Sequence, residues 1–155
     1  MAYYITYGKF QQQLKEYFIE TGHRMQFTEI SHILCKKGQL LSCRPGTASF
    51  PENLESMTDD EFNRLIDEWY IPLIPHMDHV PVVEESRIIP EQRDVFIIRH
   101  PRYTRPEAHE HNYFEINFVV SGTCRFVFED EVRTLSQGNV CIIAPSSRHD
   151  LVIDD

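Results

Sequence analysis

The sequence predicts an α+β protein, mainly β, in which a small helical N-terminal segment precedes a barrel or sandwich of short strands. Apolar residues recur at helical spacing up to about residue 70, and the period changes to that of strands from Asp94. Prolines at 72, 75, 81 and 90 separate the two regimes.

Phe10, Leu14, Tyr17 and Phe18 share one helical face and Gly22 follows as a C-cap, so a helix is expected from about Gly8 to Thr21. Phe27, Ile30, Ile33 and Leu34 form a second stripe ending at Gly38, just past Lys36-Lys37, whose charge suits a helix C-terminus. Thr58-Asp59-Asp60-Glu61 is a capping box, in which the threonine oxygen accepts an amide hydrogen bond and the glutamate reaches back. Behind it Phe62, Leu65, Ile66 and Trp69 fall at i, i+3, i+4 and i+7, and Pro72 ends the pattern. These aromatic residues read as core packing. Tyr70 to Pro90 reads as a connector, with Val80 to Val83 as a candidate edge strand. His76 and His79 within it lack the rigid element a metal site needs.

Six runs rich in Val, Ile and Phe follow: Asp94 to His100, Tyr113 to Val120, Cys124 to Glu129, Glu131 to Leu135, Val140 to Ala144 and His149 to Ile153. Gly122 and Gly138 mark turns, and Glu129-Asp130 is a hairpin junction without the glycine that tight primed turns prefer.

Composition narrows the function. A chain of 155 residues, 41% hydrophobic and 12% aromatic, buries a real core and is most simply one domain, read as a helical extension over 1–90 packing on a barrel over 91–155. The net charge is -9, from 24 acidic and 15 basic residues, and no Lys/Arg cluster tracks a phosphate backbone. Nucleic-acid contact is therefore assigned to some other segment. No run approaches the ~18 apolar residues of a membrane span, and Met1-Ala2-Tyr3-Tyr4 opens no secretory signal, so a cytoplasmic protein without membrane contact is expected. Cys35, Cys43, Cys124 and Cys141 contain no CxxC pair and read as reduced thiols.

The chemistry concentrates in His109-Glu110-His111-Asn112-Tyr113-Phe114-Glu115, with His149 downstream. Strand alternation places His109, His111, Tyr113, Glu115 and Asn117 on one face and Phe114, Ile116, Phe118 and Val120 on the other. The polar face would look into a cavity, leaving the apolar face to be covered by the helical half or a dimer partner. His109 and His111 would sit roughly 6.5 Å apart, within reach of one ion, whereas Glu115 would lie about 13 Å beyond His111 on a straight strand. A bend near Asn112 is therefore required.

HxH, three residues, Glu, six residues, Gly resembles the first cupin motif, and Gly138 through Pro145 to His149 resembles the second. The resemblance implies a cupin-type β-barrel (double-stranded β-helix, or jelly roll) with His109, His111, Glu115 and His149 in the metal-ligand positions. Departures fall at Tyr103, where many cupin enzymes have glycine, at Ala144 in place of proline, and at Ile153 in place of asparagine. The wording of the motifs, with Val119-Val120-Ser121-Gly122 and Leu135-Ser136-Gln137-Gly138-Asn139, is similar to the effector-binding cupin domain of AraC family transcriptional regulators, over about residues 94 to 155. That resemblance implies a sensor domain that binds a small-molecule effector and forms a homodimer. DNA would be bound through a C-terminal helix-turn-helix domain not in this chain, and the barrel reads as truncated at Asp154-Asp155.

Three readings stay open at this point. The favoured one is a non-enzymatic pocket for a small polar metabolite such as a sugar, lined by His109, His111, Tyr113, Glu115, Asn117 and His149 and requiring no cofactor. The second adds a divalent metal (Zn, Ni, Mn or Fe) on His109, His111, Glu115 and His149, and with it a metal-dependent dioxygenase or isomerase. The third is structural, with His109 and His149 bonded to backbone carbonyls or to Glu115. Tyr113 and Arg125 are candidates for the pocket mouth, and Asp150 reads as a solvated charge.

Overall fold

The computed structural model describes residues 3–43, 45–46, 52–73, 82–83, 85, 97 and 99–153. They are mostly β with three α-helices and fall into two units: the described residues of 1–77 and 97–104, and those of 78–96 and 105–155. No helix among them is long and apolar enough to cross a membrane.

In the first unit α1 (Tyr7–Thr21) begins one residue before the expected Gly8 and ends at Gly22, whose φ of 71° lets its N–H donate to the Phe18 carbonyl at 2.8 Å. α2 (Phe27–Lys36) opens with a capping box between Gln26 and Glu29, and α3 (Asp59–Asp67) with the expected one, Glu61 N–H donating to Thr58 Oγ1 at 3.3 Å. Phe10, Leu14, Ile30, Leu34 and Ile66 are buried together with Ile5, Tyr7, Met25, Ile71 and Leu73, so the helical stripes do face one core.

The sequence reading missed a two-stranded antiparallel sheet within this core. β1 (Tyr3–Thr6) pairs with β2 (Tyr70–Leu73), with Tyr4 opposite Pro72. The connector expected from Tyr70 instead begins with a strand, which Pro72 occupies. Tyr4 spends its own N–H and C=O on Leu41, at 2.9 and 2.8 Å, so the register asks no donor of Pro72. Residues 97–104 belong to this unit: Arg102 N–H donates to Gln11 Oε1 at 3.1 Å, and the Tyr103 ring lies 5.1 Å from that of Phe18. The expected strand from Asp94 to His100 lies largely outside the described residues, and Ile97, Arg99 and His100 are not in a strand. His76 and His79 also lie outside them.

The second unit contains β3 (Val82–Val83), β4 (Glu110–His111), β5 (Glu115–Phe118), β6 (Thr123–Phe128), β7 (Val132–Ser136), β8 (Val140–Ile143) and β9 (His149–Val152). β3 pairs parallel to β4, β5 pairs antiparallel to β8, and β6 stands between β7 and β9. The β6–β7 hairpin closes across Glu129-Asp130 with Phe128 N–H donating to the Glu131 carbonyl at 2.8 Å, and Gly122 and Gly138 take positive φ at their turns. The ladders among the described residues are short, and together they make a β-rich unit. Bends at Asn112 and Tyr113 cut one expected strand into β4 and β5, and the isolated His109–His149 bridge ties the start of that run to β9.

Candidate functional site

The bend between β4 and β5 builds the site. It removes the distance that a straight strand would impose and brings His111 Nε2 to 3.1 Å from Glu115 Oε2, while His149 Nε2 on β9 lies 3.6 Å from the same oxygen. Ligand atoms of His109, Glu115 and His149 all fall within 4.8 Å of one another. Asn117, two residues along β5 on the same face, donates from Nδ2 to Glu115 Oε1 at 2.8 Å and so fixes which carboxylate oxygen faces the imidazoles. Tyr113 stacks on His111 with ring centroids 4.3 Å apart. All six sequence-predicted residues are thus in one place.

Each imidazole is anchored by the backbone. Nδ1 of His109 meets the Glu107 carbonyl at 3.0 Å, Nδ1 of His111 the Tyr113 carbonyl at 2.7 Å, and Nδ1 of His149 the Ser147 carbonyl at 2.8 Å. A carbonyl only accepts, so Nδ1 carries the proton in all three rings, and Nε2 of each neutral ring is a lone pair. His111 and His149 are both 1% exposed, and their Nε2 atoms are buried without a hydrogen-bond partner, the approach to Glu115 notwithstanding. The structural reading therefore accounts for one nitrogen of each ring and leaves the other unexplained.

Electrostatics follow from that arrangement. Burial alone would raise the Glu115 carboxyl, but hydrogen bonding and charge from His149, Asn117 and His111 outweigh it and lower it to about 2. Burial lowers His109. It acts the same way on His149, where the Glu115 carboxylate and the Ser147 carbonyl prevail and the net shift is upward. Burial, helped by Glu115, pushes Tyr113 up to about 12. An ionised carboxylate beside imidazole Nε2 atoms calls for a positive charge there, from a protonated ring such as His149 or a bound cation, or for a ligand's hydrogen-bond donors.

Two supports escaped the sequence reading. Asp150 is not merely a solvated charge: its Oδ1 accepts from Glu107 N–H at 2.9 Å, and the Glu107 carbonyl in turn holds His109. Ser146 takes φ 60° after Pro145, Ser147 N–H donates to the Ala144 carbonyl at 3.2 Å, and Ser146 N–H donates to the His111 carbonyl at 2.8 Å. Proline followed by a left-handed residue is the pattern of a type II turn, and here it aims His149. Pro145 was the available signal for it. Arg125 is exposed on the face of β6 opposite the fully buried Phe126, away from the site. Phe126 and Phe128 supply an apolar wall, their ring centroids 6.4 and 6.3 Å from that of His149.

A β-rich unit whose polar side chains converge inside while each is oriented from behind defines a ligand-binding domain. Residues 93–155 match the family model described as AraC-like ligand binding domain, so this part of the chain is similar to a ligand-sensing regulatory domain. Neither the curated proteins nor the solved structures contain a match to the chain.

Proposed function

We propose that the second unit is the sensing part of an AraC-type transcriptional regulator that binds a small polar metabolite, a sugar or similar polyhydroxy compound, at His109, His111, Tyr113, Glu115, Asn117 and His149. Dimerisation and DNA binding through another domain belong to the same reading. The observation that carries it is the pair of buried, partnerless Nε2 atoms beside an ionised carboxylate. Hydroxyl groups satisfy both kinds of atom, donating to the lone pairs and to Glu115, while Phe126 and Phe128 pack against a carbon skeleton. A thermal-denaturation panel of sugars, polyols and hydroxy acids tests this. At least one polyhydroxy compound is expected to stabilise the second unit in the wild type and not in Asn117→Ala or His149→Ala; stabilisation that survives both substitutions would place the ligand elsewhere.

A second reading has its own observation. Three rings are held by Nδ1, the Nε2 atoms of His111 and His149 approach Glu115, and ligand atoms of His109, Glu115 and His149 lie within 4.8 Å of one another, so these three residues, with His111 beside them, suit a divalent ion such as Zn, Ni, Mn or Fe. Such an ion would supply the missing positive charge and a Lewis-acidic anchor for an effector oxygen. Metal analysis of the purified protein, with and without chelator, tests it: a stoichiometric ion lost from Glu115→Gln supports this reading, and a metal-free protein whose melting chelator leaves unchanged refutes it.

A further inference from the structure

Directly opposed residues of an antiparallel pair share a face, so the register of the β7–β6–β9 sheet decides which of its cations looks toward the site. Arg125 pairs with Thr134 and Val152 on the outer face. Arg133 pairs with the fully buried Phe126, and two residues along β6 on the same face Phe128 pairs with His149. Arg133 therefore stands on the face that carries His149. That face meets the inner face of the β5–β8 ladder, where His149 Nε2 comes to 3.6 Å from Glu115. Cys141, directly opposite Asn117 on that ladder, feels both elements: burial raises its thiol, and the Arg133 charge opposes the rise. The Arg133 side chain is 60% exposed and Glu131 Oε1 accepts from its Nη2 at 2.7 Å, so the guanidinium is held at the rim of the site. Two strand spacings across and two residues along put its Cα about 12 Å from that of His149, a gap that two long side chains narrow to the size of a sugar.

We propose that Arg133 binds an anionic group of the effector, so that the site takes a sugar acid or a sugar phosphate in preference to the parent neutral sugar. This rests on the polyhydroxy reading above and adds a charge to it. The two ends of such a ligand meet different chemistry. Hydroxyl groups satisfy the imidazole nitrogens and Glu115, whereas an anion placed there would face an ionised carboxylate and be turned away. At the other end the guanidinium fork offers N–H donors in the geometry of a carboxylate or phosphate, and the contact with Glu131 engages Nη2 while the fork carries further donors. A chain of net charge -9 repels anions from a distance, so the preference is made at contact by this side chain. Arg125, on the outer face, does not share in it.

Isothermal titration calorimetry on the 155-residue chain tests the proposal with xylose, glucose and galactose, each as the neutral sugar, the uronate and the phosphate ester. At least one anionic form is expected to bind at least about 10-fold tighter than its parent sugar. A tighter uronate identifies a carboxylate effector, and a tighter ester a phosphate one. Arg133→Gln should bring the anion down to the affinity of the parent sugar. Arg133→Lys keeps the charge but loses the fork, and should retain a preference of about 3-fold. Arg125→Gln should leave the full preference. Anionic forms no tighter than their parents, a preference that survives Arg133→Gln, or one that Arg125→Gln removes equally overturns the proposal. In those cases the polyhydroxy reading still stands if binding of the neutral sugar is lost in His149→Ala. Binding of none of the compounds, neutral or anionic, overturns both.

Discussion

Replacing Glu115 by glutamine keeps the shape of the site and removes the charge that its imidazoles surround. Holding this carboxyl at about 2 instead of 4.5 corresponds to about 3 kcal/mol of folded-state preference for the ionised form. Its side chain is 27% exposed, so solvent screening takes away a minor part. A depressed folded-state pKa contributes stability that is complete above the unfolded value near 4.5 and lost as pH falls toward 2. Between neutral pH and about pH 3 the loss from this one group is about 2 kcal/mol. Trp69, the single tryptophan, lies in the first unit, whereas Tyr113 lies in the second with Glu115 and reports on the site directly. The assay is therefore urea unfolding of chelator-treated protein followed through the Tyr113 ring by NMR at both pH values. The wild type should lose about 2 kcal/mol more than Glu115→Gln between them; equal losses, within about 0.5 kcal/mol, would refute the claim that the buried cluster holds Glu115 ionised.

Other outcomes follow from the same structure. His149 has a raised folded-state pKa, so its contribution is complete below the unfolded value of 6.5 and declines as pH rises through the folded one; His149→Ala should abolish that decline in chelator-treated protein, read by the same Tyr113 titration. Phe126→Ala empties a fully buried position and should cost the second unit about 3–5 kcal/mol, read as lost amide protection across β6, β7 and β9. Ser146→Gly relieves a left-handed serine and should stabilise the second unit by about 0.5–1 kcal/mol in urea titration, the relief exceeding the entropy cost of glycine.

What the sequence made legible was periodic. The capping box at Thr58, the C-cap at Gly22 and the strands from Thr123 to Val152 lie within a residue or two of their expected places, because local propensity and burial agree there. Parity alone put Glu115 and Asn117 opposite Ile116 and Phe118, and the need for a bend at Asn112 followed from strand rise. Partnership was not legible. Tyr3-Tyr4-Ile5-Thr6 carries the β-branched and aromatic residues of a strand, but nothing local says that Tyr70–Leu73 completes it, and a proline reads as a breaker until its register is known. Tyr103 marks the same limit. Its φ of 65° is a backbone conformation that glycine adopts freely, and its ring is set against Phe18, neither of which the residue type announces. Which imidazole nitrogen carries the proton depends on carbonyls at 107, 113 and 147, and no pattern of residue types encodes that.

The central claim is that the imidazoles of His109, His111 and His149 present their Nε2 atoms to a ligand. Nitrogen-15 NMR of these rings tests it most directly, first on chelator-treated protein and then during titration with a polyhydroxy compound that stabilises the second unit. In the neutral rings of His109 and His111 the proton is expected on Nδ1, and the Nε2 resonances of all three rings should move as the ligand binds. A proton on Nε2 of His111, or ligand binding that leaves all three rings unmoved, would contradict the account.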